Sequence, residues 1–164
     1  MQAVLPQPGE RRPAPLPHPK QLLLHLVSNP EDMERVYRDL KRIHPHFPEH
    51  GSTLVLWRLL FLTGLPCPFD PIPGRMADQL VRMGVRPLPP EARPQAGDFF
   101  AVGNAEQITA LGVVAKVPLP IAGELPDWFL AVDHQLGEHH RPYRRKITGD
   151  PHHPDVVHFL RPFG

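Results

Sequence analysis

The sequence predicts an α+β fold in which helices from the first half of the chain pack on an antiparallel β-sheet of about five strands from the second half. Apolar residues recur at helical spacing as far as residue 84. After about Pro94 they occur instead in short β-branched or aromatic runs bounded by Gly, Pro and Asp. Helices followed by a series of strands are typical of the α+β class.

Composition and charge narrow the class of protein further. The length of 164 residues fits a single domain, and 41% apolar with 21% charged residues is ordinary for a globular chain. The formal net charge of +1 provides no overall field that would select nucleic acid or an anionic membrane. Proline is unusually abundant, with 24 residues, which predicts many loops and few long regular elements.

The N-terminal region differs in composition from the rest, so we divide the chain into a Pro-rich extended arm or tail, residues 1–27, and a single domain, residues 28–164. Six prolines lie within residues 1–20, among few large apolar residues. Such a segment cannot fill a core. Two interpretations stay open: a flexible tail, or an arm that docks on other protein chains of an assembly.

The N-terminus lacks the apolar core of a signal peptide, and no apolar run approaches the ~20 residues of a membrane span. We therefore expect no membrane span. The expected location is the cytoplasm or a particle assembled there, such as a virion.

Start and stop signals place three helices. The first has Ser28 or Asn29 as its N-cap and continues to Pro45. The second and most apolar occupies residues 51–64, with Ser52 as the N-cap or a first-turn residue, and the third covers residues 74–84. The strands are predicted at residues 98–102, 110–117, 128–133, 142–147 and 156–160.

Neither a metal nor a cofactor is predicted. Cys67 is the only cysteine, which excludes an internal disulfide and a Cys-based zinc site. The histidines crowd Pro-rich loops without a fixed ligand spacing. The cationic residues between 141 and 146 fit a solvated sheet edge, with an anionic partner surface as the alternative. They lack the interleaved aromatic residues of nucleic-acid-binding modules, which argues against a nucleic-acid partner.

Several motifs occur in the order found in papain-like cell-wall amidases and endopeptidases of the NlpC/P60 and CHAP kind. The run from Ser52 to Gly64 is similar in length and apolar placement to the helix that carries the catalytic Cys of that family. Residues 95–100 resemble its Gly-Asp turn into an aromatic strand, and residues 110–114 resemble its His-Val-Gly-Ile-Val strand. The resemblance extends over about residues 50–162 and implies a papain-like fold.

The resemblance also implies roles for individual positions. Ser52 stands at the nucleophile position, Ala110 at the base position and Gln135 nearest the position of the polar residue that orients the base. Acyl transfer needs a nucleophile, a base within hydrogen-bond reach and an oxyanion site, and here two of the three chemical groups are replaced. The sequence therefore predicts a catalytically degenerate site.

We accordingly expect a catalytically inactive domain that works as a binding or structural component, for example of a phage particle or tail. The expected binding residues are Ser52, Trp57, Asp98, His134 and Gln135, with peptidoglycan as a possible ligand. The alternative is an active peptidoglycan hydrolase in which Ser52 or Cys67 is the nucleophile and a histidine such as His134 is the base.

Overall fold

The computed structural model describes residues 18–104, 106–133, 141–148 and 156–163. Four helices precede six strands, as the α+β prediction requires. The helices are α1 (Pro19–Ser28), α2 (Pro30–Ile43), α3 (Gly51–Leu62) and α4 (Pro73–Arg82). The strands are β1 (Arg86–Pro87), β2 (Phe99–Gly103), β3 (Ile108–Lys116), β4 (Trp128–Val132), β5 (Tyr143–Lys146) and β6 (Val156–Arg161).

The strands form one antiparallel sheet in the order β1-β6-β2-β3-β4-β5. The predicted pairing of residues 98–102 with 110–117 is confirmed, with Phe99 opposite Val113 and Ala101 opposite Leu111. Strand β5 carries the cationic residues 144–146 and lies at one edge of the sheet. This position agrees with the prediction of a sheet edge there. Two-residue β1, at the opposite edge, was not predicted, because so short a run has no readable period.

Helix α2 begins and ends where its capping residue and the following proline predict. The Asn29 side chain accepts hydrogen bonds from the backbone N–H groups of Glu31 and Asp32, at 3.1 and 3.4 Å, and so caps the helix. Its apolar residues at helical spacing are buried. The helix ends before Pro45, as predicted. The sequence therefore identified both the cap and the buried face.

The predicted arm requires a correction. Residues 1–17 lie outside the described part of the chain, but residues 19–28 form α1, so the predicted boundary at residue 27 is wrong. Leu23 and Val27 of α1 have no exposed surface, and both belong to the core that α2 and α3 share. The run from Leu22 to Val27 was too short to be recognised as a helix next to a Pro-rich segment.

Replacing Leu23 with Ala should lower the free energy of unfolding by about 2 kcal/mol. This value is at the lower end for a buried leucine, because α1 is the first described helix and can shift toward the space left behind. Denaturant unfolding of the full chain measures the change, and Gln21→Ala on the exposed side of α1 is the matched control. If the two variants were equally stable, α1 would not be part of the core.

The central strands of the sheet are buried on both faces. One face packs against the helices through Phe99, Leu111, Val113, Val132 and Leu160. The opposite face forms a second apolar cluster, with Phe100, Val102, Ala110, Phe129 and Phe159 among its buried members. Neighbouring residues of a strand point to opposite faces, so the two clusters alternate along β2 and β3. None of the helices in the described ranges is long and apolar enough to cross a membrane.

Candidate functional site at the start of helix α3

A cleft of about 240 Å³ lies at the N-terminal end of α3. The start of the helix supplies His50, Gly51, Ser52 and Thr53. The loop before α4 and the start of β3 complete the lining, with Pro71, Pro73, Thr109 and Ala110. The structure thus brings Ser52 and Ala110 to the same cleft.

Ser52 is the second residue of α3 and is half-buried. The residue before the helix, His50, has a left-handed backbone with φ of 57°, and no side chain caps the helix start. The carbonyl of His50 accepts from the backbone N–H of Leu54 at 3.0 Å and from the Thr53 hydroxyl at 2.9 Å. Within the described residues, no histidine nitrogen hydrogen-bonds to the Ser52 hydroxyl, so this serine has no base in contact.

Among the described residues, His50 is the histidine that lines the cleft. Its Nε2 lies 3.8 Å from Oε1 of Glu49, and both side chains are largely exposed. The imidazole is therefore directed toward a neighbouring carboxylate at the surface. A serine nucleophile needs a base held at hydrogen-bond distance by a third group, and this arrangement does not provide one for Ser52.

Ala110 occupies the expected strand but does not present its side chain to the cleft. Its methyl group is completely buried in the cluster on the sheet face away from the helices. Val102 pairs with Ala110 and Gly103 with Ile108, so Thr109 is the extra residue of a β-bulge. The Thr109 hydroxyl donates to the carbonyl of Val102 at 3.1 Å. Thr109 is thus a cleft residue that the family resemblance did not identify, because a bulge leaves no sequence signal of its own here.

Cys67 is buried and away from the cleft. Its Sγ lies 3.5 Å from the carbonyl of Pro68 and 4.0 Å from Oε1 of Gln79. Burial raises the pKa of the Cys67 thiol, which disfavours the thiolate that a nucleophile requires. This environment fits a structural cysteine, and it weakens the alternative in which Cys67 attacks a substrate.

His134 and Gln135 lie outside the described residues. The preceding Asp133 is buried, and its Oδ2 accepts a 2.6 Å hydrogen bond from the Tyr143 hydroxyl. Arg145 donates from Nε to the Tyr143 hydroxyl at 3.0 Å. Burial, followed by the charge of Asp133, raises the pKa of Tyr143 far above its ordinary value. The three side chains join the end of β4 to β5, a network that the sequence did not reveal.

Asp98, predicted as a binding residue, is held by an internal ion pair. Its carboxylate accepts two 3.0 Å hydrogen bonds from Nε and Nη2 of Arg161, and one of 2.7 Å from the backbone N–H of Gln95. The pairing with Asp98 raises the pKa of Arg161. Only 3% of Asp98 is exposed, and its carboxylate closes the turn before β2.

Trp57 is half-buried on α3 and belongs to an aromatic group with His44 and Phe69. Its ring lies edge-on to the His44 ring at 5.6 Å and to the Phe69 ring at 5.9 Å. The three rings fasten α3 to the segments that follow α2 and α3. Trp57 does not line the cleft, so the structure separates it from Ser52.

Within the ranges that the structure describes, no three His, Cys, Asp or Glu side chains are grouped so that they could hold a metal ion. Comparison of the chain with models of known protein families, with curated proteins and with solved structures finds no match. The likeness to papain-like amidases therefore depends on the motifs and the element order alone.

Proposed function

We propose that this protein is a catalytically silent, papain-like binding component of a larger assembly, such as a phage particle. The observation that carries the proposal is the cleft at the start of α3, where no histidine of the described ranges hydrogen-bonds to the Ser52 hydroxyl. Strand β3 contributes Thr109 to the same cleft, and the Thr109 hydroxyl donates to the backbone carbonyl of Val102. A threonine hydroxyl cannot take the proton of Ser52 at neutral pH.

The cleft retains features suited to binding. Its walls combine two prolines, which limit backbone motion, with the hydroxyl groups of Ser52 and Thr109 and the imidazole of His50. Small polar groups on a rigid wall favour recognition of a neutral polar ligand, such as a glycan or peptide segment of the cell wall. The Pro-rich N-terminal segment provides a second contact with neighbouring chains, since proline lowers the entropy lost on docking.

Purified protein should release no soluble label from labelled peptidoglycan, and Ser52→Ala should behave like the unmodified protein. In the same samples the protein should sediment with the insoluble peptidoglycan. Thr109→Trp, which fills the cleft, should leave more protein in the supernatant. Release of label that disappears in Ser52→Ala would contradict the proposal. That result would support the alternative, an active hydrolase with Ser52 as the nucleophile and a histidine such as His134 as the base.

A further inference from the structure

The segment between β3 and β4, residues 117–127, forms an exposed apolar hairpin. Leu119, Ile121 and Leu125 are 83%, 67% and 56% exposed, more than any other large apolar side chain in the described ranges. Soluble chains do expose single apolar residues, but three such side chains on one short projection mark an interaction surface.

The hairpin is held rigidly. Ile121 and Glu124 exchange two backbone hydrogen bonds, of 2.8 and 2.9 Å, around a turn in which Ala122 and Gly123 both have positive φ. Pro118, Pro120 and Pro126 restrict the rest of the loop, and Nη2 of Arg93 donates to the carbonyl of Pro126 at 2.8 Å. The apolar side chains are thus presented in a fixed position, which lowers the entropy that docking would cost.

One side of the hairpin combines an apolar and an anionic group. Ile121 and Glu124 lie directly opposite each other, and residues paired in this way project their side chains to the same face. Both side chains are exposed. A complementary surface therefore needs an apolar recess with a cation at its edge.

The same chain contains such a surface. A cavity of about 90 Å³ between α3, α4 and the sheet is lined mainly by the apolar residues Leu60, Leu80, Met83, Val85, Phe99 and Pro162. Arg82 and Arg86 are the sequence neighbours of the lining residues Met83 and Val85, and both are exposed. Arg82 also lines a separate cavity with Asp70 and Asp78. Neither guanidinium forms an ion pair with another residue of the described ranges. Since one water takes about 30 Å³ of liquid volume, the cavity has room for a small aliphatic branch.

The hairpin and the cavity lie at the same end of the sheet. The hairpin follows the end of β3 and precedes the start of β4, and the cavity contains Phe99 at the start of β2 and Pro162 just after β6. Antiparallel pairing of these strands brings those termini to one end. Two copies that meet at this end can each offer a hairpin and a cavity, as a two-fold symmetric interface requires.

We propose that the hairpin docks on a second copy of this chain, with Ile121 entering the cavity and Glu124 pairing with Arg82 or Arg86. The carboxylate of Glu124 favours a protein partner over a lipid surface. Docking of the hairpin on a membrane would bring this charge into the bilayer interface. The interface goes beyond the binding role proposed above and does not involve the cleft at Ser52.

Sedimentation velocity of the full chain between about 1 µM and about 1 mM tests the proposal, since weak to moderate contacts dissociate over this range. We expect a monomer–dimer equilibrium. Ile121→Asp should weaken dimerisation by about tenfold or more, because it places a carboxylate in an apolar cavity. Ile43→Asp, at a similarly exposed apolar residue at the end of α2, should leave dimerisation unchanged.

Exchanging the charge of Glu124 with those of Arg82 and Arg86 tests whether these residues pair across the interface. Glu124→Arg should weaken dimerisation, and combining it with Arg82→Glu and Arg86→Glu should restore it. The melting temperature should change little in each variant, because the substituted side chains are exposed. A chain that remains monomeric over the whole range would overturn the proposal, as would a dimer that Ile121→Asp leaves intact.

Discussion

Replacing Gly112 with Ala should destabilise the domain by about 3 kcal/mol or more, although it adds only one methyl group. A Cβ at this position would clash with Cζ of Phe100 and would lie 2.7 Å from the carbonyl oxygen of Val132. The Phe100 ring is fully buried and stacks edge-on to Phe129 at 5.3 Å, so it has little room to move. The backbone of Val132 is fixed by the sheet, since Val132 pairs with Val113.

Thermal unfolding should show a melting temperature lower by about 10 °C, because 1 kcal/mol corresponds to about 2–4 °C for a domain of this size. Gly74→Ala is the control, since its Cβ would meet nothing closer than 4.0 Å and helix α4 favours Ala over Gly. In a Phe100→Leu background the cost of Gly112→Ala should fall, because part of the clash is with the ring. An equal cost in both backgrounds would place the strain on the backbone of Val132 alone.

The fold was predicted from local signals in the sequence, namely helix caps and runs of β-branched or aromatic residues. Asn29 and Pro30 predicted the start of helix α2, and β-branched or aromatic runs between Gly and Pro predicted five of the six strands. The same signals failed at α1, where burial of Leu23 and Val27 against other helices stabilises a segment that composition assigned to an arm. Leu23 and Val27 are one helical turn apart, but in a run of ten residues beside a Pro-rich segment this spacing alone does not identify a helix.

The candidate site was predictable as a location and not as an arrangement of side chains. The apolar helix with Ser52 near its start was identified from sequence, and the structure places a cleft there. Thr109 lines the cleft beside Ala110, whose own methyl group is buried on the sheet face away from the helices. The β-bulge at Thr109 is visible only in the strand register, because such an insertion leaves no sequence signal here.

The partner of Asp98 is another feature that the sequence does not reveal. A carboxylate that follows Gly97 and precedes an aromatic strand fits both a ligand-binding role and a structural one, and the sequence does not name its partner. That partner is Arg161, 63 residues further along the chain. Contacts between residues so far apart depend on the sheet order, in which β6 lies next to β2.

We expect Asp98→Ala to cost about 3–5 kcal/mol of folding free energy, because it leaves the guanidinium of Arg161 largely buried without its anion. The side chain of Arg161 is 15% exposed and that of Asp98 4%, so water can solvate neither fully. The backbone N–H of Gln95 would lose its acceptor as well. Denaturant unfolding of the full chain measures the cost.

The matched control is Asp39→Ala, which removes the acid from the more exposed pair with Arg58, at 3.8 Å, and should cost less than about 1 kcal/mol. Combining Asp98→Ala with Arg161→Met should recover part of the lost stability, because the second change removes the uncompensated charge. If Asp98 served a ligand, its loss would instead leave folding unchanged and weaken sedimentation with peptidoglycan. A stable Asp98→Ala variant with reduced binding would therefore contradict the structural role and return Asp98 to the binding surface.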